Sequence, residues 1–268
     1  MSNGTQPSGA NHWLVLDIGN THTVAGLYEQ GRLRGHIRFR TDAQATADEY
    51  RAKLSQLFEF SRADVIGFWS GVSRVIVSSV VPALEGVIES AARPVACLFV
   101  CSRTRREFEL DLPFPEQLGA DRLANVTGAL TLAKPPFLIV DAGTATTFCL
   151  VDARPAYIGG NIVPGLETGW KALQARAAKL FSVELIRPES SIGRTTETQL
   201  QSGVLLGYEA LIEGMTDRLL RDAGPKFSEA VTIFATGGCI NLLKLSSRFR
   251  VEEDLTLLGL LRYGQLTG

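Results

Sequence analysis

The chain has 268 residues, 45% of them hydrophobic, and a formal net charge of −1 with acids and bases dispersed along it. That length fits one large domain or two ordinary ones, each with a real core. The near-neutral balance removes the field that gathers nucleic acid or an anionic membrane, so small-molecule or protein partners are expected and nucleic acid and membrane are not.

Residues 1–12 are polar and small, lack the apolar core of a signal peptide, and are expected to be a disordered tail. WLVLD (13–17) is a short apolar strand, Gly19-Asn20 turns it, and TVAGLYE and RLRGHIRF are expected to follow as antiparallel partners. TADEYRAKLSQLFEF places Tyr50, Leu54, Leu57 and Phe58 on one helical face, behind a Thr46 cap with Glu49 three residues later. RVIVSSVV is a β-branched strand, Pro82 opens a helix over PALEGVIESAA, and VACLFV is another strand. LGADRLANVTGAL carries Leu123, Val126 and Leu130 at helical spacing.

The second half repeats the order: strands PFLIVD and TTFCLVD, a short strand around AYIGG, then helices WKALQARAAKL and TQLQSGVLLGYEALIEGMTDRLL. The longer helix is apolar enough to line a domain or subunit contact. AVTIFATGG reads as a buried strand ending in a glycine pair, and LTLLGLLRYGQL as a closing helix. Strands alternating with helices imply a parallel component in each sheet. Two duplicated α/β domains are expected, 13–133 and 134–268, facing each other across a cleft, with the last helix able to pack back on the first domain.

Cys97, Cys101, Cys149 and Cys239 lie in or beside apolar runs without a CxxC pair, and read as buried, reduced residues of a cytoplasmic protein. His12, His22 and His36 are too scattered for a histidine-rich metal site, and Arg103, Arg105 and Arg106 form a solvated basic loop. No apolar stretch approaches the ~18 residues of a membrane span.

The chemistry concentrates in two similar stretches, LVLDIGNTHTV (14–24) and LIVDAGTATTF (138–148). Asp17 and Asp141 each end a buried strand, where an ionised carboxylate needs a cation or several donors. An Asx-turn satisfies one such residue, but two in equivalent places favour a shared cation. Gly19 and Gly143 permit tight turns, and Asn20, Thr21, Thr23, Thr144, Thr146 and Thr147 offer donors for phosphate, although threonine also suits a plain strand. Neither a P-loop nor a GxGxxG is present, so neutralising phosphate falls to metal ions. Asp121 and Arg122 sit at a helix start, where Asp121 is either a first-turn acid or an acceptor of a substrate proton, with Arg122 forking a substrate carboxylate.

DIGNT (17–21), VSSVVP (77–82), GADR (119–122), DAGTATT (141–147), GGNIVPG (159–165), IGRTT with QSG (192–203) and ATGG (235–238), in this order, resemble type III pantothenate kinases, a family that includes proteins first named Bvg accessory factors. The resemblance runs from about Trp13 to the C-terminus.

It implies an acetate and sugar kinase/Hsc70/actin (ribonuclease H-like) fold and a homodimer. The implied activity is ATP-dependent phosphorylation of pantothenate to 4′-phosphopantothenate, the first step of coenzyme A biosynthesis. By this likeness Asp17, Ile18, Gly19, Asn20, Thr21, His22, Thr23 and Val24 form the ATP phosphate loop, and Thr144 contacts ATP. Asp17 holds Mg²⁺ through water, and Asp141 binds a monovalent cation, K⁺ or NH₄⁺. Gly119, Ala120, Asp121 and Arg122 line the pantothenate site with Asp121 as general base, and Thr196 binds pantothenate.

Two positions depart from the family pattern. A tyrosine that contacts pantothenate is replaced by Leu112, with Phe108 and Phe114 nearby, and a serine after the PG turn is replaced by Gly169. A phosphohydrolase of the same superfamily and a nucleotide-binding regulator without turnover are the alternative functions.

Overall fold

A computed structural model describes residues 12–61, 67–176, 183–227 and 231–268. The expected tail lies outside these residues up to position 11, and His12 already belongs to the first strand. Two compact units divide the chain: residues up to 107, 114–128 and 255–268 form one, and 108–113 with 129–254 form the other.

The first unit begins with an antiparallel meander, β1 (His12–Ile18), β2 (His22–Glu29) and β3 (Arg32–Arg40). The chain then passes through α1 (Ala47–Ser61) and the short α2 (Phe68–Gly71) to β4 (Val72–Ser79), α3 (Glu85–Ala92) and β5 (Cys97–Phe99). The sheet order is β3-β2-β1-β4-β5, with β4 and β5 added parallel to β1. Placing β1 in the middle explains its unbroken apolar run: Leu14, Val15, Leu16 and Ile18 are at most 1% exposed. On one face, Tyr50, Leu54 and Phe58 of α1 and Ile88 of α3 complete the core.

The predicted cap of α1 is a reciprocal pair, in which the Glu49 N–H donates to Thr46 Oγ1 at 3.3 Å and the Thr46 N–H to Glu49 Oε2 at 2.7 Å.

A two-residue strand, β6 (Glu109–Leu110), precedes α4 (Ala120–Leu132). The second unit continues with β7 (Phe137–Ala142), β8 (Ala145–Val151) and β9 (Ala156–Pro164). The helices α5 (Leu166–Arg176), α6 (Thr196–Gln201) and α7 (Gly207–Ala223) follow. Finally come β10 (Thr232–Thr236), β11 (Phe249–Val251) and, back in the first unit, α8 (Leu255–Thr267). The second sheet has the order β11-β10-β7-β8-β9-β6. Its pairings reproduce the first sheet strand for strand: β7–β8 and β8–β9 antiparallel, β7–β10 and β10–β11 parallel. The fold is therefore one α/β pattern written twice, with β6 added.

Several expectations are corrected. The short strand at AYIGG extends through Pro164, because β8 pairs along its whole length with Thr146↔Val163 and Ala145↔Pro164. The single helix expected over 198–220 is two helices joined by a π-helical turn at Ser202–Leu206. Only 170–176 of the helix expected over 170–180 lies within the described residues, as the end of α5. Pro82 opens a 3₁₀ turn before α3 rather than the helix itself. Cys149 and Cys239 are buried, but Cys101 is exposed, because β5 has already ended at Phe99 and the chain has entered a loop. There the Cys101 N–H donates to Thr104 Oγ1 at 3.0 Å. Burial raises the Cys97 thiol to about 11. Among the described residues, no helix is long and apolar enough to cross a membrane.

The second face of the first sheet is covered by α8, which also crosses α4 at two glycines. A Cβ on Gly259 would lie 1.8 Å from the Ala124 carbonyl oxygen, and one on Gly128 would lie 2.4 Å from that of Leu255. Both obstacles are backbone, so neither can swing away. Gly259→Ala is expected to cost about 1–3 kcal/mol, the usual penalty for overpacking. On α7, a Cβ at Gly214 meets nothing within 4 Å, so Gly214→Ala should instead gain roughly 0.5–1 kcal/mol from helix propensity. Urea-melt midpoints moving in opposite directions would bear out both assignments.

Candidate active site

In the first unit the expected residues Asp17 to Val24 and Asp121 gather at the C-terminal end of the parallel strands. Asp17 is the penultimate residue of β1, in register with Ser78 of β4 and Val24 of β2. Register partners project from the same sheet face, so Asp17 and Ser78 lie side by side. Ser78 is fully buried, and its hydroxyl has no hydrogen-bond partner among the described residues.

The β1–β2 turn is closed by the Gly19 N–H donating to the His22 carbonyl at 3.0 Å, which leaves Asn20 exposed at the tip. The turn is fixed from behind. Thr41 donates its hydroxyl to the Gly19 carbonyl at 2.7 Å and its N–H to that of Thr21 at 3.0 Å. Ile18 and Thr23 are fully buried, and the Thr23 hydroxyl lies 2.9 Å from Thr41 Oγ1 and 3.4 Å from Tyr50 Oη. The Thr23 side chain thus supports the loop from the core instead of offering a donor to a ligand. His22 is held by Arg38, whose Nη2 is 3.1 Å from Nδ1.

Asp121 enters the same region at the start of α4. Its Oδ1 accepts the Arg122 N–H at 2.8 Å. A Cβ at Gly119 would lie 2.4 Å from that oxygen and 3.9 Å from Val80 Cγ1. The glycine of GADR therefore makes room for the carboxylate, and Val80 supplies an apolar neighbour. Val80 is itself tied to the β1 end by its N–H, which donates to the Ile18 carbonyl at 3.0 Å. Ala120 is buried, while Arg122 is partly buried. Burial pushes the Asp121 carboxyl above the usual aspartate value, against the downward pull of the Arg122 N–H and guanidinium.

The second unit repeats the device with different surroundings. Asp141 of β7 is in register with Thr236 of β10 and Thr147 of β8, the positions equivalent to Ser78 and Val24. One residue after Thr236, where the first unit has Ser79 after Ser78, the second has Gly237 at φ 102°, whose Cβ would fall 2.4 Å from Asp141 Oδ1. The loop Gly143-Thr144 is strapped by the start of α5. The Gly165 N–H and Thr168 Oγ1 donate to the Thr144 carbonyl at 3.0 and 2.6 Å. The Thr144 side chain stays exposed. Thr146 is fully buried against Tyr208, so its hydroxyl, like that of Thr23, points into the core.

The remaining expected residues lie apart in sequence and element. Thr196 is exposed at the first turn of α6, which Thr195 and Thr198 cap reciprocally, and a Cβ at Gly193 would lie 2.3 Å from the Gln199 N atom. Leu112 is partly buried in the segment after β6, beyond Asp111, whose N–H donates to the Tyr157 carbonyl at 3.0 Å. Phe108 is buried and Phe114 is 60% exposed; a side chain at Gly169 would meet open space.

Among the described residues, no three His, Cys, Asp or Glu side chains gather as a metal cage. Mg²⁺ carried by a nucleotide needs no such cage, since it commonly takes one or two carboxylates, waters and the phosphates themselves. A single carboxylate beside an unpartnered buried hydroxyl, Asp17 with Ser78, fits that donor set. Asp141, which a side chain at position 237 would crowd, fits a cation that approaches the carboxylate closely. Ser78, Val80, Gly237 and Thr168 were not singled out from sequence. Their roles depend on strand register and backbone approach, although VSSVVP and ATGG marked the segments that carry three of them.

The sequence profile of type III pantothenate kinases matches residues 13–218. Among solved structures, a Baf family protein from Campylobacter jejuni aligns at 17% identity and a TM-score of 0.54, covering 94% of this chain and 97% of its own. EutJ, an ethanolamine utilization protein from Carboxydothermus hydrogenoformans, aligns at 13% identity and 0.54, with 98% and 92% covered. ADP-bound MreB5 of Spiroplasma citri aligns at 12% and 0.51, with 96% and 97% covered. These likenesses show the acetate and sugar kinase/Hsc70/actin fold. With its profile match running from β1 into α7, the chain belongs to the type III pantothenate kinases and is a pantothenate kinase enzyme.

Proposed function

We propose that this chain transfers the γ-phosphoryl group of ATP to the primary hydroxyl of pantothenate, with Asp121 as the general base. The observation that carries the reading is the Asp121 carboxylate. It is partly desolvated, raised in pKa, and set by Gly119 and Val80 at the sheet end that also bears Asp17. A base near a phosphate loop needs that combination: enough basicity to take a hydroxyl proton, and a fixed position from which to take it.

The steps follow from the side chains. Asn20, Thr21 and the backbone of residues 17–24 orient the phosphates, and Thr144 contacts the nucleotide. Arg122 pairs with the pantothenate carboxylate and Thr196 adds a second substrate contact, while Leu112 offers only apolar contact. Asp121 orients the acceptor hydroxyl for in-line attack and receives its proton as the new P–O bond forms and the bond to ADP breaks. Asp17 would hold Mg²⁺ through water, and Asp141 a monovalent cation, K⁺ or NH₄⁺. These ions supply charge neutralisation of the phosphates. Most of the acceleration then comes from positioning and fixed charge.

A homodimer and a cytoplasmic location complete the proposal. Ile162, Leu173, Ile192 and Leu211 of the second unit are 64%, 40%, 76% and 38% exposed, an apolar supply suited to a subunit contact. Four free thiols, one exposed, suit a reducing compartment.

Asp121→Asn should lower kcat by roughly 10²–10⁴ in a pantothenate-dependent ADP-release assay, the usual scale for losing a general base; full turnover in that variant would remove Asp121 from the role. The raised pKa also fixes a sign for stability. A carboxyl that binds its proton more tightly when folded favours the fold at low pH and loses that contribution as pH rises through the folded value. Near neutrality the ionised Asp121 therefore costs stability, so Asp121→Asn should melt higher than the wild type. The gain should shrink on acidification and vanish by about pH 3.9, the ordinary aspartate value. Replacing potassium by sodium should reduce turnover, and equal rates in the two salts would contradict a cation role for Asp141.

A further inference from the structure

The π-helical turn at Ser202–Leu206 sits immediately before Tyr208, the second residue of α7. One widened turn changes the phase of everything after it, and such turns recur where a side chain must be aimed. Here the side chain aimed is a phenol only 8% exposed, against a core that includes Leu166, Ile212 and Cys239. Its hydroxyl bonds the Thr146 hydroxyl.

Thr146, bonded by that hydroxyl, and Leu166, in the same core cluster, belong to the two elements that frame the Asp141 loop. Thr146 is in register with Ala142 on β7, and its neighbour Thr147 with Asp141 itself. Leu166 opens α5, whose flanking Gly165 and whose Thr168 hold the Thr144 carbonyl. A single side chain on α7 therefore ties β8 through its hydroxyl and shares a core cluster with the first residue of α5.

We infer that Tyr208 is a positioning residue for the nucleotide and cation loop, Asp141 to Thr146, and that its hydroxyl sets how tightly the enzyme holds ATP and its monovalent cation. The inference rests on the proposed roles of Asp141 and Thr144. It adds a residue outside the loop that touches neither ligand.

Tyr208→Phe removes only the hydroxyl, and Thr146→Val removes its partner. Calorimetric titration with ATP in potassium buffer reads the effect without requiring turnover. Each variant is expected to weaken ATP binding by about three- to tenfold, the scale of one lost hydrogen bond. The double variant should lose no more than either single one, and Thr146→Ser should bind as the wild type does. In the kinetic assay the KM for ATP and the potassium concentration for half-activation should rise together, while the KM for pantothenate should stay within about twofold, since its proposed Asp121 and Arg122 contacts lie in the first unit and its Thr196 contact lies on α6, ahead of the π turn. Unchanged ATP binding in both single variants would overturn the inference, as would equal rises in both KM values, which indicate general loosening. A wild type that binds ATP but never phosphorylates pantothenate would refute the kinase reading and leave the binding test of Tyr208 standing.

Discussion

A carboxylate at the end of a buried central strand is expensive unless something meets its charge, and this chain places one there twice. Asp17 and Asp141 occupy the same position in two copies of one sheet, each beside a hydroxyl residue on the parallel neighbour, Ser78 or Thr236. The rest of each unit is arranged around that placement. The central strand is apolar on both faces because helices cover it, and the antiparallel neighbour starts within four residues because a glycine turns the chain. The parallel neighbour then returns its backbone to the strand end: the Val80 N–H donates to the Ile18 carbonyl, and the Cys239 N–H to that of Ala142 at 3.0 Å.

The two copies diverge in what stands beside the carboxylate. In the first, Ser79 follows the hydroxyl residue and the start of α4 brings in Asp121, a second acid whose proton affinity burial has raised. In the second, Gly237 removes the side chain, and the start of α5 clamps the loop through Gly165 and Thr168. Under the proposed function, one copy would handle a proton and the other would admit an ion closely, the difference expected when a duplicated unit takes separate parts of one phosphoryl transfer. The stability cost predicted for ionised Asp121 belongs to the same account, since a group poised to accept a proton is destabilising when charged.

Much of this was legible from residue order. The meander at β1–β3, the Thr46–Glu49 cap and the start of α4 after Gly119 are set by local signals, namely apolar periodicity, cap chemistry and glycine. The strand-end aspartates were visible because they interrupt apolar runs. What was not legible depends on partners distant in sequence. β6 and β11 are two and three residues long and exist only because β9 and β10 offer an edge. The π turn interrupts an apparently continuous helical pattern at Ser202, whose hydroxyl donates to the Ser191 carbonyl at 2.7 Å. The inward aim of Thr23 and Thr146 follows from strand register, which their composition as hydroxyl residues cannot specify. The apolar context of Cys101 continues past the end of β5, where the chain turns into a loop held by Thr104 and leaves the thiol exposed.

The most direct test of the central claim is phosphorus-31 NMR of the wild-type protein with magnesium, potassium and ATP, recorded before and after adding pantothenate. The account predicts a stable γ-phosphate resonance before addition. Afterwards, a phosphomonoester signal should grow in step with the loss of γ-phosphate and the appearance of ADP. Inorganic phosphate released at the same rate with and without pantothenate, and no phosphomonoester, would contradict it.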